Sequence, residues 1–193
     1  MTTWLTSDQH FEHANIIKYT NRPFTDVQHM NNYLVAEWNS MVAPDDIVYQ
    51  LGDFTLGNLE TARYMFSLLN GRIHVLGNHW HHDSRWLITQ IRDGASSLHS
   101  AQDHTVIIDL PVVVLENVEN GYAGWSTPAI LCHYPFLNWD RMHYGSYHFF
   151  GHSHGASEKR PNCLDVGVDN IYKLTGRYRP VSLEEAIKFA KNS

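Results

Sequence analysis

IVYQLGDF, residues 47–54, is a run of β-branched, aromatic and aliphatic residues that stops at glycine and aspartate. A short apolar run closed by turn residues reads as a strand. Its last residues, Gly52 and Asp53, put a sharp bend and a carboxylate at the strand's carboxyl end. The arrangement recurs along the chain. TTWLTS reads as a first strand ending at Asp8, RIHVLGNH as a third strand with its terminal loop, and AILCH and YHFFGHSH as two more. Five apolar runs thus finish in Asp8, Asp53, Asn78, His133 and His152, all residue types that can ligate a metal. In α/β folds, ligands gather beyond the carboxyl ends of sheet strands. The expectation is a single α/β domain over residues 1–193 with its site at that end.

Helices fill the intervals. Val27, Met30, Leu34, Trp38 and Met41 recur at helical spacing, predicting a helix from about Asp26 to Met41, with Thr25 and Gln28 as a capping box. Residues 59–70 suit a second helix ended by Gly71, and 84–92 a short third. TVIIDLPVVVLE reads as two strands joined or bent at Pro111, and residues 117–128 as a turn region. Ser182 and Glu185 form a capping box before a final helix.

Composition bounds the function. With 193 residues, 43% hydrophobic and 12% aromatic, the chain can bury a core, which excludes bulk disorder. Fourteen basic against 20 acidic residues give a net charge of −6, which argues against a surface that holds long nucleic acid. Cys132 and Cys163 form no CxxC or disulfide framework, so a reducing cytoplasm is expected. The start, MTTWLTSDQHFEH, lacks the layout of a signal peptide, and the longest apolar run is broken by Asp109 and Pro111, too short for a membrane span. Fourteen histidines, as many as all lysines and arginines together, point to metal or proton chemistry.

Asp8 and His10 lie two positions apart; if strand geometry persists to residue 10, both face one side and can grip one divalent ion. Asp53 can bridge two ions through its two oxygens. Asn78 offers a neutral oxygen, with His79 beside it as a proton donor. His133 follows a strand, and His152 and His154 repeat the two-residue spacing. Each fragment alone is also compatible with an ordinary polar turn; their order makes the case.

The series Asp8-x-His10, Gly52-Asp53, Gly77-Asn78-His79, His133 and Gly151-His152-x-His154 resembles the calcineurin-like metallophosphoesterase family. SDQHFEHANII, RPF, a helix with Trp38, PDDIVYQLGDF and the ending GVDN…YRPVSLEEA are similar to its small bacterial and phage members. The resemblance implies a four-layer α/β/β/α sandwich with the metals in loops at one end. It implies one ion held by Asp8, His10, Asp53 and His154, and another held by Asp53, Asn78, His133 and His152. A hydroxide bridging the two ions would attack phosphorus in line, with His79 near the leaving or non-bridging oxygens. The donor set suits Mn first, with Fe, Zn, Ni or Mg as alternatives.

One position departs from the resemblance. Trp80 follows His79 where an acidic residue is usual, and Asp83 stands as a displaced substitute for orienting His79. Gln9 also replaces a small or hydroxylated residue. His13, Asn15 and Arg141 are candidates for contacting the phosphate, Arg141 through its planar fork, with loop stabilisation or a surface ion pair as the alternatives. Tyr134 or Trp139 can stack on a base or belong to the core. Cys132 reads as a buried thiol, and Asp109, Asp165 and Asp169 as structural. The expected function is hydrolysis of a phosphodiester or a small nucleotide-like phosphate; the alternatives are a phosphomonoesterase, a nuclease, or a weakly catalytic metal-binding interaction module. No coiled-coil seam or symmetric patch indicates an oligomer.

Overall fold

The structure, a computed structural model, describes residues 1–76, 83–99, 105–120 and 126–192. Two β-sheets organise them. The first has six strands: β1 (Thr3–Thr6), β2 (Ile47–Gln50), β3 (Arg72–Leu76), β4 (Ser97–His99), β5 (Thr105–Asp109) and β10 (Val181–Ser182), in the order β10-β1-β2-β3-β5-β4. β1, β2, β3 and β5 run parallel, and β10 and β4 close the edges antiparallel. The second sheet has the order β6-β7-β8-β9, from β6 (Val112–Asn120), β7 (Ser126–Cys132), β8 (Tyr147–Phe150) and β9 (Cys163–Asp165). Within it β7, β8 and β9 are parallel, so their carboxyl ends share one edge.

Six helices complete the described chain: α1 (Ala14–Tyr19), α2 (Val27–Met41), α3 (Leu59–Ser67), α4 (Ser84–Arg92), α5 (Val168–Thr175) and α6 (Leu183–Lys191). Strand alternation divides the first sheet's side chains between two cores. Trp4, Val48, Ile73 and Val75 pack with Met30, Leu34 and Trp38 of α2, Phe66 of α3 and Trp86 of α4. Leu5, Leu51 and Leu76 pack with Ala129, Leu131, Tyr147 and Phe149 of the second sheet and with Ala186 and Ile187 of α6. Beyond the second sheet, Ile130, Phe150 and Cys163 are covered by Trp139 and Phe136. The result is a mixed α/β fold. Among the described residues, no helix is long and apolar enough to cross a membrane.

Several details differ from the sequence reading. The cap of α2 is Asp26, whose carboxylate accepts the His29 amide at 2.8 Å; Thr25 turns its hydroxyl to the Asp26 carboxylate. Asp26 has the extended backbone of an N-cap directly before Val27. Pro111 does more than bend a strand: it marks where the chain leaves the first sheet after β5 and enters the second at β6. Of the turn region predicted at 117–128, residues 117–120 belong to β6 and 126–128 to β7, and the remainder lies outside the described residues. The predicted Ser182 cap is present, accepting the Glu185 amide at 3.2 Å.

Leu131 is fully buried between the sheets, whereas Leu137 is 82% exposed. Leu131→Ala is expected to lower unfolding stability by about 2–5 kcal/mol, and Leu137→Ala by less than about 0.5 kcal/mol. Urea denaturation monitored by circular dichroism checks the contrast.

Candidate metal centre

The carboxyl ends of the two sheets are joined where the candidate ligands lie. Ser7 forms a parallel bridge to Gly167, and the Val168 amide donates to the Ser7 carbonyl at 3.0 Å. Beyond β1 and β2, the parallel pairing persists as bonds between loops. Asp8 N–H donates to the Gly52 carbonyl (3.0 Å), His10 N–H to the Asp53 carbonyl (2.9 Å) and Phe11 N–H to the Phe54 carbonyl (2.8 Å). The loops that carry Asp8, His10 and Asp53 are therefore zipped together by main chain.

Two groups of donor atoms result. Asp8, His10, Asp53 and His154 form one, and Asp53, His133 and His152 the other; the donor atoms within each group lie within 4.8 Å of one another. Asp53 belongs to both. Its Oδ2 lies 3.4 Å from His10 Nε2 and 3.8 Å from His133 Nε2. The His10 and His154 rings stack at 5.2 Å, and those of His133 and His152 meet at 5.1 Å. Asp8, His10, Asp53 and His133 are buried. Two Asp/His groups sharing a carboxylate can coordinate divalent metal ions, and six of the seven residues expected as ligands are brought together. The seventh, Asn78, lies outside the described residues, as do His79 and Trp80.

The expected route to this convergence was incorrect. β1 ends at Thr6, and Asp8 and His10 do not continue its extended geometry. They adopt left-handed backbone, with φ of 62° and 54°, as do Asp53 (54°), His152 (66°) and His154 (49°). Each such residue costs on the order of 1–3 kcal/mol unless its surroundings fix it, although Asp and His occupy this region more readily than most side chains. Close approach does the fixing. A Cβ on Gly52 would sit 2.5 Å from His133 Nδ1, and one on Gly167 would sit 2.3 Å from Asp8 Oδ2.

Arg22, which spacing alone did not single out, holds the arrangement from behind. Its side chain is buried, and its Nη2 donates to the Asp8 carbonyl at 2.7 Å and its Nη1 to the Gln9 carbonyl at 2.9 Å. The same guanidinium pairs with both Asp169 oxygens, Nε at 2.9 Å and Nη2 at 2.8 Å. Asp169 also contacts His154 Nδ1 at 2.6 Å. That contact makes Nδ1 the protonated nitrogen and leaves His154 Nε2 as the donor for a metal. Arg22 thus ties the Asp8 loop to the His154 loop. Gln9, which stands where a small or hydroxylated residue is usual, is buried and bonded to Thr6 Oγ1 (2.6 Å) and to the Gln50 side chain (3.0 Å). Gln50 in turn clasps Gly52 through its amide and carbonyl.

His79, which Asp83 was expected to orient, lies outside the described residues; what Asp83 holds among the described ones is the loop after Asp53. Its buried carboxylate accepts the Phe54 and Thr55 amides and the Trp86 indole N–H. Of the candidates for phosphate contact, His13 lines the cavity at the site, its Nδ1 3.5 Å from that of His10. Asn15 is exposed on α1 and does not line it. Arg141 pairs at the surface with Glu116 (3.3 Å) and Asp140 (3.5 Å), also off the cavity wall. Trp139 is buried, its indole bonded to the Ser146 carbonyl, whereas Tyr134 lays its ring against His133 and His152. Cys132 and Cys163 are buried and not joined in a disulfide.

Electrostatics makes the site acidic and short of positive charge. Burial, then the neighbouring Asp165 and Asp53, pushes the Asp8 carboxyl far above its ordinary range. Burial and Asp83 raise Asp53 to about 8, and burial raises Asp83 to about 6. Asp169 is the exception: burial pushes it up, but the bonds from His154 and Arg22 outweigh this and hold it at about 2. A bound divalent cation would reverse the strain on Asp8 and Asp53.

Two expectations follow from this geometry. Arg22→Met removes the tie between the two loops, so metal affinity should fall by about 10–100-fold, read by competition with a chromogenic chelator; unchanged affinity would contradict the tie. For pH, a carboxyl raised on folding binds more protons in the folded state, so its contribution to stability is lost as pH rises through the folded value. Metal-stripped protein should therefore melt at higher temperature at pH 6.5 than at pH 8, the interval set by Asp53 at about 8. Below that interval buried His148, lowered by burial to about 4, opposes the gain. Saturation with a divalent metal should flatten or invert the trend in a calorimetric series.

The sequence matches no established family profile. A 79-residue stretch is 52% identical to an uncharacterized protein of Methanocaldococcus jannaschii; the match covers 39% of this chain and 45% of that relative, so the chain spans less than half of its length. The Gene 66 protein of Mycobacterium phage L5 is 28% identical over 201 aligned positions, covering 91% of this chain and 90% of the phage protein. Among solved structures, a protein of unknown function from Aquifex aeolicus superposes with a TM-score of 0.60 at 17% identity, covering 97% of this chain and 98% of that one. This last likeness concerns the fold alone.

Proposed function

We propose that this chain is a dinuclear-metal phosphoesterase acting on a phosphodiester or a small nucleotide-like phosphate. The observation that carries the reading is the sharing of Asp53 between two Asp/His groups. A single structural or storage ion needs no such sharing, whereas two-metal hydrolysis places its ions about 3.5–4 Å apart, a spacing that one shared carboxylate can set. On this reading the two stacked sheets, with α2, α3 and α4 outside the first and the Trp139 segment outside the second, are a reduced form of the four-layer sandwich. The whole chain is then one metallophosphoesterase domain.

The residues present fit the ions. Imidazoles and carboxylates, joined by the amide of Asn78 and with no thiolate among them, suit Mn, Fe, Zn or Ni, and Mn is the first choice. When bound, the pair supplies Lewis acidity, activating water and neutralising charge on the phosphoryl oxygens. The chain's own part is positioning and proton handling. Asp53 holds the two groups at fixed spacing. The Asp8 carboxylate accepts the His152 amide at 3.0 Å, locking the loop of one sheet to that of the other. Asp169 and Arg22 fix the His154 tautomer. His79, on the segment after β3, is assigned the proton donated toward the leaving oxygen. A small phosphate ester is the proposed partner. The net charge of −6 and a cavity wall whose only Lys or Arg among the described residues is Lys173 disfavour long nucleic acid. Two buried cysteines not joined in a disulfide accord with a cytoplasmic setting.

The test is an activity matrix: metal-stripped protein reloaded with Mn, Ni, Zn, Fe or Mg, against an aryl phosphodiester and an aryl phosphomonoester. Metal-dependent turnover with preference for the diester is expected; silence in every cell with two ions bound would sink the reading. In the active combination, Asp53→Asn should reduce turnover by more than the ~10–100-fold typical of an outer contact and weaken both ions. His79→Ala should lower turnover by about 10²–10⁴-fold while sparing metal affinity.

A further inference from the structure

The cavity at the metal ligands is larger than a phosphoryl group requires. Its volume is about 660 Å³, within the roughly 300–1,000 Å³ of sites that enclose whole small molecules. One end is His10, Asp53, His152 and His154; the rest is a wall built from α1 and the turn after it, the loop after β8, and α5 with the segment that follows it. On that wall stand Ile16, Tyr19, Ala156, Tyr172, Lys173 and Tyr178. The Tyr172 ring stacks on buried Tyr178 at 4.2 Å and 11°, and Tyr178 is backed by Phe24 at 5.3 Å and Tyr33 at 6.3 Å. Tyr172 is thus held rigidly from behind while remaining 38% exposed. Tyr19, 71% exposed, stands on the α1 side with its ring edge-to-face with His13 at 6.2 Å. Lys173 Nζ donates to the His154 and Gly155 carbonyls at 2.9 and 3.2 Å, which fixes a positive charge beside the second ligand loop.

We propose that this wall binds a flat aromatic ring carried by the ester, so that the substrate or product is a nucleotide-like phosphate with its base against Tyr19 and Tyr172. The inference rests on the phosphoesterase reading and adds to it the class of the organic group. An acyl chain is matched poorly, because Ile16 is the only aliphatic residue larger than alanine on the described wall. A bare sugar phosphate would leave the tyrosine faces without a partner. Stacking of a base on an aromatic side chain is worth roughly tenfold or more in affinity. The stacking residues considered from sequence do not serve: Trp139 is buried away from the cavity, and Tyr134 covers His133 and His152.

The experiment is calorimetric titration of Mn-loaded protein with inorganic phosphate, ribose 5-phosphate and adenosine 5′-monophosphate. All three should bind, the adenosine nucleotide about tenfold or more tighter than ribose 5-phosphate. Tyr19→Ala and Tyr172→Ala should each shrink that preference by about 3–10-fold with phosphate affinity unchanged, and Tyr172→Phe should restore it. If Tyr172→Ala fails to fold, exposed Tyr19 carries the test alone. Equal binding of the two organic phosphates, or equal weakening of all three probes by the variants, overturns the ring site and leaves the phosphoesterase reading standing. Failure of inorganic phosphate to bind the metal-loaded protein overturns that reading and the ring site together.

Discussion

Asp8 and Asp53 are buried carboxylates; Asp165 and Asp53 raise the proton affinity of Asp8, and Asp83 raises that of Asp53. Burying one unpaired carboxylate costs several kcal/mol, so a fold that gathers several at one point must offer them something. Asp83 and Asp165 are answered by the chain itself: Asp83 by two backbone amides and an indole, Asp165 by the Ser153 hydroxyl and the Gly155 and Gly167 amides. Asp53 is answered by imidazoles that are themselves metal donors. The outer acids have their oxygens satisfied by hydrogen bonds, and the inner ones face a place suited to cations.

The residue types at this place satisfy two demands at once. The loops must reverse direction sharply after β1, β2 and β8, which puts positions 8, 10, 53, 152 and 154 in left-handed backbone. Glycine would meet that demand without strain but offers no donor. Asp and His tolerate the conformation better than most side chains and supply the donors. Glycine is used instead at 52 and 167, where another loop passes too near for any Cβ. Donor and spacer are sorted by steric room.

Much of this was legible in the sequence, and what was missed has a common cause. Strand positions were visible because the runs near Trp4, Val48 and Val75 are bounded by turn residues, and the donors were visible because they follow those runs in chain order. The pairing of Asp8 with His10 was recovered for the wrong reason, since period-2 geometry and a left-handed turn both bring alternate residues to one place. Arg22 and Asp169 were not recovered as a pair: 147 positions separate them, and nothing in the chemistry of either announces the other. Short edge strands such as β10, and helices α1 and α5, were missed because two to eight residues carry too little periodicity to stand out. The identity of the Asp26 cap was off by one, because side-chain chemistry permits both Thr25 and Asp26 and only backbone conformation decides between them.

The described ligands divide between the sheets, Asp8, His10 and Asp53 from the first and His133, His152 and His154 from the second. The contacts that set their geometry therefore also hold the sheets at that edge: Ser7 with Gly167, the His152 amide with Asp8, and Arg22 between the Asp8 loop and Asp169 at the start of α5. An ion held by Asp8, His10, Asp53 and His154 would bind both halves at once, and so would one held by Asp53, His133 and His152. Metal affinity and the seating of one sheet on the other are then linked, because a ligand that prefers the closed arrangement stabilises it by its differential affinity. A substitution in the apolar layer between the sheets, far from any donor atom, would alter the site through that linkage, and removal of any bound ions would loosen the layer in return.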